Sequence, residues 1–232
     1  MRSKIGVQGK ISTTVIRKSD MNNASLRALW FGGSPLASGL TPDVRSWRWR
    51  NLSNLLSGWI RVRLAMIASK VIGLPVAYGA LSITKHNGRT GLSEYYGLAS
   101  YKFVTDTGVA FIVDAFQNLT ELDTMRFHGI GIGILNENQT DAALGTELTT
   151  EYNPNGVRAT GTLAEGNTAN KFQTVGVNIL DIGTPAITEH GIFSAATGGV
   201  LLDRSKFGSI NLNGLNGDAL QTTYTLEILA GG

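Results

Sequence analysis

The residues able to carry chemistry are few and scattered. The chain holds three histidines, His86, His128 and His190, and no cysteine. Without cysteine there are no disulfides, zinc ribbons, iron–sulfur clusters or thiol nucleophiles. No two histidines stand at i, i+4 and no H-E-x-x-H run occurs, so no metal site is expected. His128-Gly-Ile-Gly-Ile-Gly133 has the spacing G-x-G-x-G, not G-x-G-x-x-G, and it runs into a polar loop. The helix N-terminus that would hold a phosphate is missing, so the run reads as a flat glycine strand. Ser194, His190 and Asp203 are the residue types of a hydrolytic triad, but no G-x-S-x-G elbow presents a serine. Acids are frequent after residue 90, yet no pair of carboxylates stands out for glycoside chemistry. The expectation is a protein without enzymatic activity or cofactor.

Three further residues invite an interface reading. Glu189 and His190 are neighbours in an extended run, so their side chains point to opposite faces. His190 is expected to be partly buried or at an interface. Asp203-Arg204 follows the Gly198-Gly199 turn. It reads either as a surface ion pair, worth at most about 1 kcal/mol if exposed, or as a contact between subunits.

Trp47-Arg48-Trp49-Arg50 alternates aromatic rings with cations. Trp and Arg are favoured anchors at protein interfaces. The same alternation suits stacking on single-stranded nucleic acid or lying on a membrane surface. Protein docking is the leading expectation, carried by Arg45, Trp47, Arg48, Trp49, Arg50, Trp59, Arg61 and Arg63. Nucleic-acid or membrane contact by residues 45–83 is the lesser alternative.

Charge and hydropathy place these residues on two kinds of element. Residues 1–90 hold fourteen Lys/Arg against two acids, net +12, and residues 91–232 hold six against fifteen, net −9. Segments so unlike in charge suggest different surroundings, and a basic arm calls for an acidic partner. The expected division is a basic N-terminal arm over 1–90 and a β domain over 91–232. Residues 1–20 read as extended, with a short strand at Ile11–Ile16, no apolar core of a signal peptide, and Met21 as a second candidate start. Leu52, Leu55, Leu56, Trp59, Ile60, Met66 and Ile67 predict an amphipathic basic helix over about 46–72, with a break at Gly58 and an end at Gly73 and Pro75. Leu64–Ile83 carries a single charge, Lys70. It is long enough to cross a bilayer, but its glycines and Pro75 favour burial in an oligomer or against a partner.

The second part reads as strands. Twenty-nine glycines among 232 residues, with five prolines, exceed the usual ~7% and suit tight turns rather than long helices. Tyr95–Val104 reads as a strand. Thr105-Asp106-Thr107 then offers cap chemistry to a short helix over 107–118, with Val109, Ile112, Val113 and Phe116 on its buried face. From Arg126 the period is two, and Ile130, Ile132 and Ile134 alternate with glycines whose bare backbone permits close approach. Glu147–Tyr152 and Val157–Leu163 flank Asn153-Pro154-Asn155-Gly156, a hairpin signal. Lys171–Leu180, Ala186–Ser194, Val200–Asp203, Phe207–Leu212 and Ala219–Leu229 complete the set. In the last, Leu220, Thr222, Tyr224, Leu226 and Ile228 share a face. The expected fold is mainly β, an antiparallel β-sandwich or jelly roll with one short helix.

Several runs carry a family resemblance over about residues 92–232. They are Tyr96-Gly-Leu-Ala-Ser-Tyr-Lys-Phe-Val-Thr-Asp-Thr-Gly-Val109, Phe127-His-Gly-Ile-Gly-Ile-Gly133, Asp141-Ala-Ala-Leu-Gly-Thr-Glu-Leu148 and Glu151-Tyr-Asn-Pro-Asn-Gly-Val-Arg-Ala-Thr-Gly161. Ala186-Ile-Thr-Glu-His-Gly-Ile-Phe193, Gly199-Val-Leu-Leu-Asp-Arg-Ser-Lys-Phe207 and Gly217-Asp218 follow. In order and spacing these resemble virion structural proteins of tailed bacteriophages, of the capsid decoration or cement kind. The sequence departs from that pattern at Leu212–Asp218, where the turn is longer. The resemblance implies a protein at the capsid surface that binds the major capsid protein and assembles with itself, a trimer being the natural geometry. A tail or head fibre, or an adaptor with a host-binding sandwich, is the alternative.

Overall fold

The computed structural model describes residues 41–149, 156–165 and 169–230. The strand expected at Ile11–Ile16 and most of the turn at 153–156 lie outside the described residues. Residues 41–232 form one compact unit.

The expected sandwich is what the chain forms. Its first element, α1 (Pro42–Ile72), is followed by β1 (Val76–His86), β2 (Ser93–Phe103), α2 (Asp106–Phe116) and β3 (Phe127–Gly131). Then come β4 (Ala159–Thr160), β5 (Thr162–Glu165), β6 (Lys171–Ile179), β7 (Ala186–Phe193), β8 (Leu201–Asn211) and β9 (Ala219–Leu229). One sheet has the order β2-β1-β9-β6-β5 and the other β4-β3-β7-β8, and the strand pairs are antiparallel. Consecutive strands form in-sheet pairs at β1–β2, β5–β6 and β7–β8, so the connectivity is simpler than the double Greek key of a jelly roll.

The boundary expected near residue 90 falls inside the first sheet. β1 lies between β2 and β9, matched to β9 along its whole length from Val76↔Leu229 to His86↔Ala219. Charge reports what a surface faces, whereas strand pairing is decided by backbone hydrogen bonds and by the alternation of buried side chains. From residue 41 onward the change in charge is therefore a change of surface within one folded unit. The apolar stretch 64–83 likewise divides into the end of α1 and most of β1, and no helix among the described residues is long and apolar enough to cross a membrane.

α1 begins at Pro42, ahead of the start expected near residue 46, because Thr41-Pro42 opens the helix rather than breaking the chain. Thr41 caps it, accepting from the Val44 amide at 3.4 Å, and Pro42 fills the first turn, where a missing N–H costs nothing. Gly73 ends it in the left-handed region at φ 72°. The helix passes through Gly58 unbroken. A β-carbon there would lie 2.3 Å from the Tyr101 carbonyl oxygen, so Gly58 lets the helix lie against β2.

The two sheets are closed along their edges in two ways. At one side β4 passes into β5 through Gly161 alone, carrying the chain from one sheet to the other. At the other side α1 packs over β2 and β8, the two remaining edge strands. Edge strands present unpaired amides and carbonyls, and α1 supplies partners for them. Trp47 Nε1 donates to the Gly208 carbonyl at 2.5 Å. Asn51 donates to the Ala99 carbonyl at 2.8 Å and accepts from the Gly208 amide at 2.9 Å, joining both edges. Asn54 donates to the Lys206 carbonyl.

Candidate functional site

The interior of the sandwich is polar along one seam. His128 on β3 is fully buried, with its Nδ1 2.8 Å from Thr222 Oγ1 and its Nε2 3.1 Å from Thr174 Oγ1. Those threonines sit on β9 and β6, so the ring joins the two sheets. Its Nδ1 also lies 3.0 Å from His190 Nε2. Only a single proton fits between two such ring nitrogens. Burial pushes His128 down to about 3, and burial together with His128 holds His190 well below the usual imidazole range. Gly176 makes room, since a β-carbon there would lie 2.4 Å from the His128 ring.

Asp203 lies further along the same seam. Tyr224 donates to its Oδ2 at 3.3 Å and Ser205 to its Oδ1 at 3.2 Å, while Ser100 on β2 donates to Ser205 at 2.7 Å. Burial raises the Asp203 carboxyl to about 7, against these hydrogen bonds. His190, Asp203 and Ser194 do not form a triad. His190 pairs with His128, Asp203 with Tyr224 and Ser205, and Ser194 Oγ accepts from the Val200 amide.

Arg204 points the other way and meets Glu189. Their ion pair spans 2.8 Å, with Arg204 also 2.8 Å from Asp141. Glu189 is a fastening point for the segment 132–149. Its Oε1 accepts from the Gly133 and Thr146 amides at 2.9 and 2.8 Å, and its Oε2 from the Gly145 amide at 3.0 Å. Burial works against its charge, but the Thr146 and Gly145 amides and Arg204 outweigh burial and hold the carboxyl below its usual range. The close approach foreseen for the glycine run takes place here. A β-carbon on Gly131 would lie 2.4 Å from the Thr146 carbonyl oxygen, and one on Gly133 2.3 Å from Glu189. Of the three isoleucines only Ile130 is in the core, because β3 ends at Gly131 and Ile132 and Ile134 are exposed.

The interface reading of His190, Asp203 and Arg204 is corrected by burial. They are 1%, 2% and 5% exposed and engage partners within their own chain. Asp203 and Arg204 are not a pair, since adjacent strand residues face opposite sides. The sequence signal for opposite faces at Glu189-His190 was sound; their partners depended on strand register.

The expected docking residues divide by the face of α1 they occupy. Trp47 is a core residue, stacked edge-on against Tyr96 with centroids 5.1 Å apart. Arg48 is half-buried and donates to the Tyr96 carbonyl at 3.1 Å and the Tyr95 carbonyl at 3.3 Å. These two fasten the helix and are unavailable to a partner. Arg45, Trp49, Arg50, Trp59, Arg61 and Arg63 are exposed, with the Arg63 guanidinium 5.5 Å from the centre of the Trp59 ring. The inward face is Val44, Trp47, Asn51, Gly58, Val62 and Ser69. The large apolar residues that marked the helix in the sequence mostly face outward: Leu56, Ile60 and Ile67 are exposed, as are Leu64 and Val71. With apolar groups on both sides, α1 lacks the single buried stripe of an ordinary surface helix.

The shorter helix departs from expectation in the same sense. Thr105 caps it, accepting from the Gly108 amide at 3.0 Å. Gly108 and Phe111 are its buried residues, and Val109, Val113 and Phe116 are exposed. The hydrogen bonds of Thr105 and Thr107 to the Leu201 carbonyl set its rotation.

Among the described residues no three His, Asp or Glu side chains gather as metal ligands. A cleft of about 390 Å³ beside Gly58 and Arg61 contains Lys102 and Arg204, but these are paired with Glu137 and Asp141. The class that fold and surface define is a two-sheet antiparallel sandwich whose open side is closed by a helix with a second, uncovered apolar face. No protein-family model matches the chain, and a search of curated proteins finds no match.

Proposed function

We propose that the chain is a non-enzymatic structural protein of a tailed-bacteriophage virion, a decoration protein that binds and stabilises the shell of major capsid protein at the capsid surface. One observation carries the reading: a long helix presents a cation-flanked apolar face to solvent, on a sandwich whose titratable groups are used for packing. Large uncovered apolar surface marks an interaction site. The resemblance of residues 92–232 to phage virion proteins supplies the setting. In this reading the outward face of α1 binds protein at the capsid surface, a neighbouring copy of the chain included. The six Lys/Arg of residues 1–40, against the single acid Asp20, attract the chain to an acidic shell.

Electron microscopy of intact virions with the chain labelled is the test. Many copies on the capsid lattice are expected. A single ring or spike at one vertex would transfer the chain to the fibre or adaptor class, and its absence from virions would end the proposal.

A further inference from the structure

The outward face of α1 has a counterpart on the same molecule. Leu56, Ile60, Leu64, Ile67 and Val71 fall within an arc of about 80° at 3.6 residues per turn, opposite the face that covers the sandwich. Leu64 and Ile67 are each 62% exposed and Val71 80%. Arg45, Arg63 and Lys70 border this stripe on one side and Arg50 and Arg61 on the other. α1 contains six Lys/Arg and a single acid, Asp43, at its first turn. A second uncovered apolar patch lies on α2 and the turn after it. Val109, Val113, Phe116, Leu119 and Leu122 are all exposed, Phe116 at 83%. Its borders are acidic: Asp106, Glu121 and Asp123 are exposed, with no Lys or Arg between 105 and 125.

We propose that the α1 stripe of one copy docks on the α2 patch of a second copy. The two surfaces match in apolar character and oppose in charge. Pairing α1 with α1 would set cations against cations, and pairing α2 with α2 would set acids against acids. Each self-pairing is therefore disfavoured, and the mixed pairing is selected by attraction and repulsion together. A contact between two different patches closes as a ring, or as a two-fold pair that makes it twice, where the rotation allows, and otherwise runs on as an open filament. The inference deepens the decoration reading and rests on it only for the view that α1 binds protein.

The test uses two charge-reversed forms of the full chain, R61E/R63E and E121K/D123K, in sedimentation velocity over a range of concentrations. All four positions lie outside the core, and melting curves establish that each form is folded. The parent chain is expected to self-associate, and each variant alone to dissociate with at least a tenfold weaker constant. Mixing the two variants is expected to restore association, because each then offers the other a complementary pair. A monomeric parent, association that survives both reversals, or a mixture that stays monomeric would overturn the proposal. A parent chain that is monomeric but floats with phosphatidylserine vesicles would assign the stripe to lipid instead. None of these results depends on where the chain sits in a virion, so this proposal and the decoration reading can fail separately.

Discussion

The rim of the sandwich and its centre both bury polar groups, by different chemistry. At the rim, Trp47, Asn51 and Asn54 of α1 bond the free backbone of β2 and β8, and these side chains carry no charge. At the centre His128, His190 and Asp203 are titratable, and Glu189 and Arg204 are charged on the outer face of β7 and β8 directly behind it. The rim should therefore be indifferent to pH, and the centre should make stability depend on it.

The largest expected effect is just behind the centre, on the outer face of β7. Glu189→Ala leaves three amides without their acceptor and Arg204 with Asp141 as its one remaining carboxylate, and losing one partner of a buried ion pair costs about 3–5 kcal/mol. Urea unfolding measures it, and a loss below about 1 kcal/mol would show that segment 132–149 is held by other contacts. Next comes the pH profile. Below about 6.5 the unfolded chain protonates its histidines while His128 stays neutral to about 3, so stability falls as pH drops through that window. Asp203 acts in the opposite sense. Its folded carboxyl titrates at about 7, against 3.8 unfolded, so stability declines as pH rises between those values and is then flat. Asp203→Asn is expected to abolish that decline in thermal melts, and an unchanged profile would remove Asp203 from the account.

At the rim, Asn51→Ala is expected to cost about 1–3 kcal/mol, because it strands a carbonyl and an amide. The loss should be equal at pH 5 and pH 8, and a pH-dependent loss would break the contrast between rim and centre. The smallest change belongs to the outer face of α1. Ile67→Ala should alter the stability of the isolated chain by no more than about 0.5 kcal/mol, and a large loss in dilute solution would place Ile67 in the core.

Several elements were legible in the sequence because their causes are local. Gly73 ends α1, Thr105 starts α2, and the alternation Leu220, Thr222, Tyr224, Leu226 marks the buried face of β9, whereas the start of α1 at Thr41-Pro42 has the residues of a turn as much as of a cap. The candidate site was legible in part. Arg45, Trp49, Arg50, Trp59, Arg61 and Arg63 are exposed on α1, whereas Trp47 and Arg48 are tied to strands distant in sequence. No spacing rule foretells that His128 meets His190 or that Arg204 meets Glu189, since those contacts arise from the register of β3, β7 and β8.

By itself the sequence determined the β-rich class, the end of α1 and the start of α2, and a basic, aromatic helix with no acid after its first turn. Helical periodicity shows that apolar residues share a face; it does not say which way that face turns. The tertiary structure decided that, because the sandwich rim needs a thin helix face able to bond its open edges. Asn51 and Gly58 meet that need, and the bulky apolar residues of α1 are left facing outward.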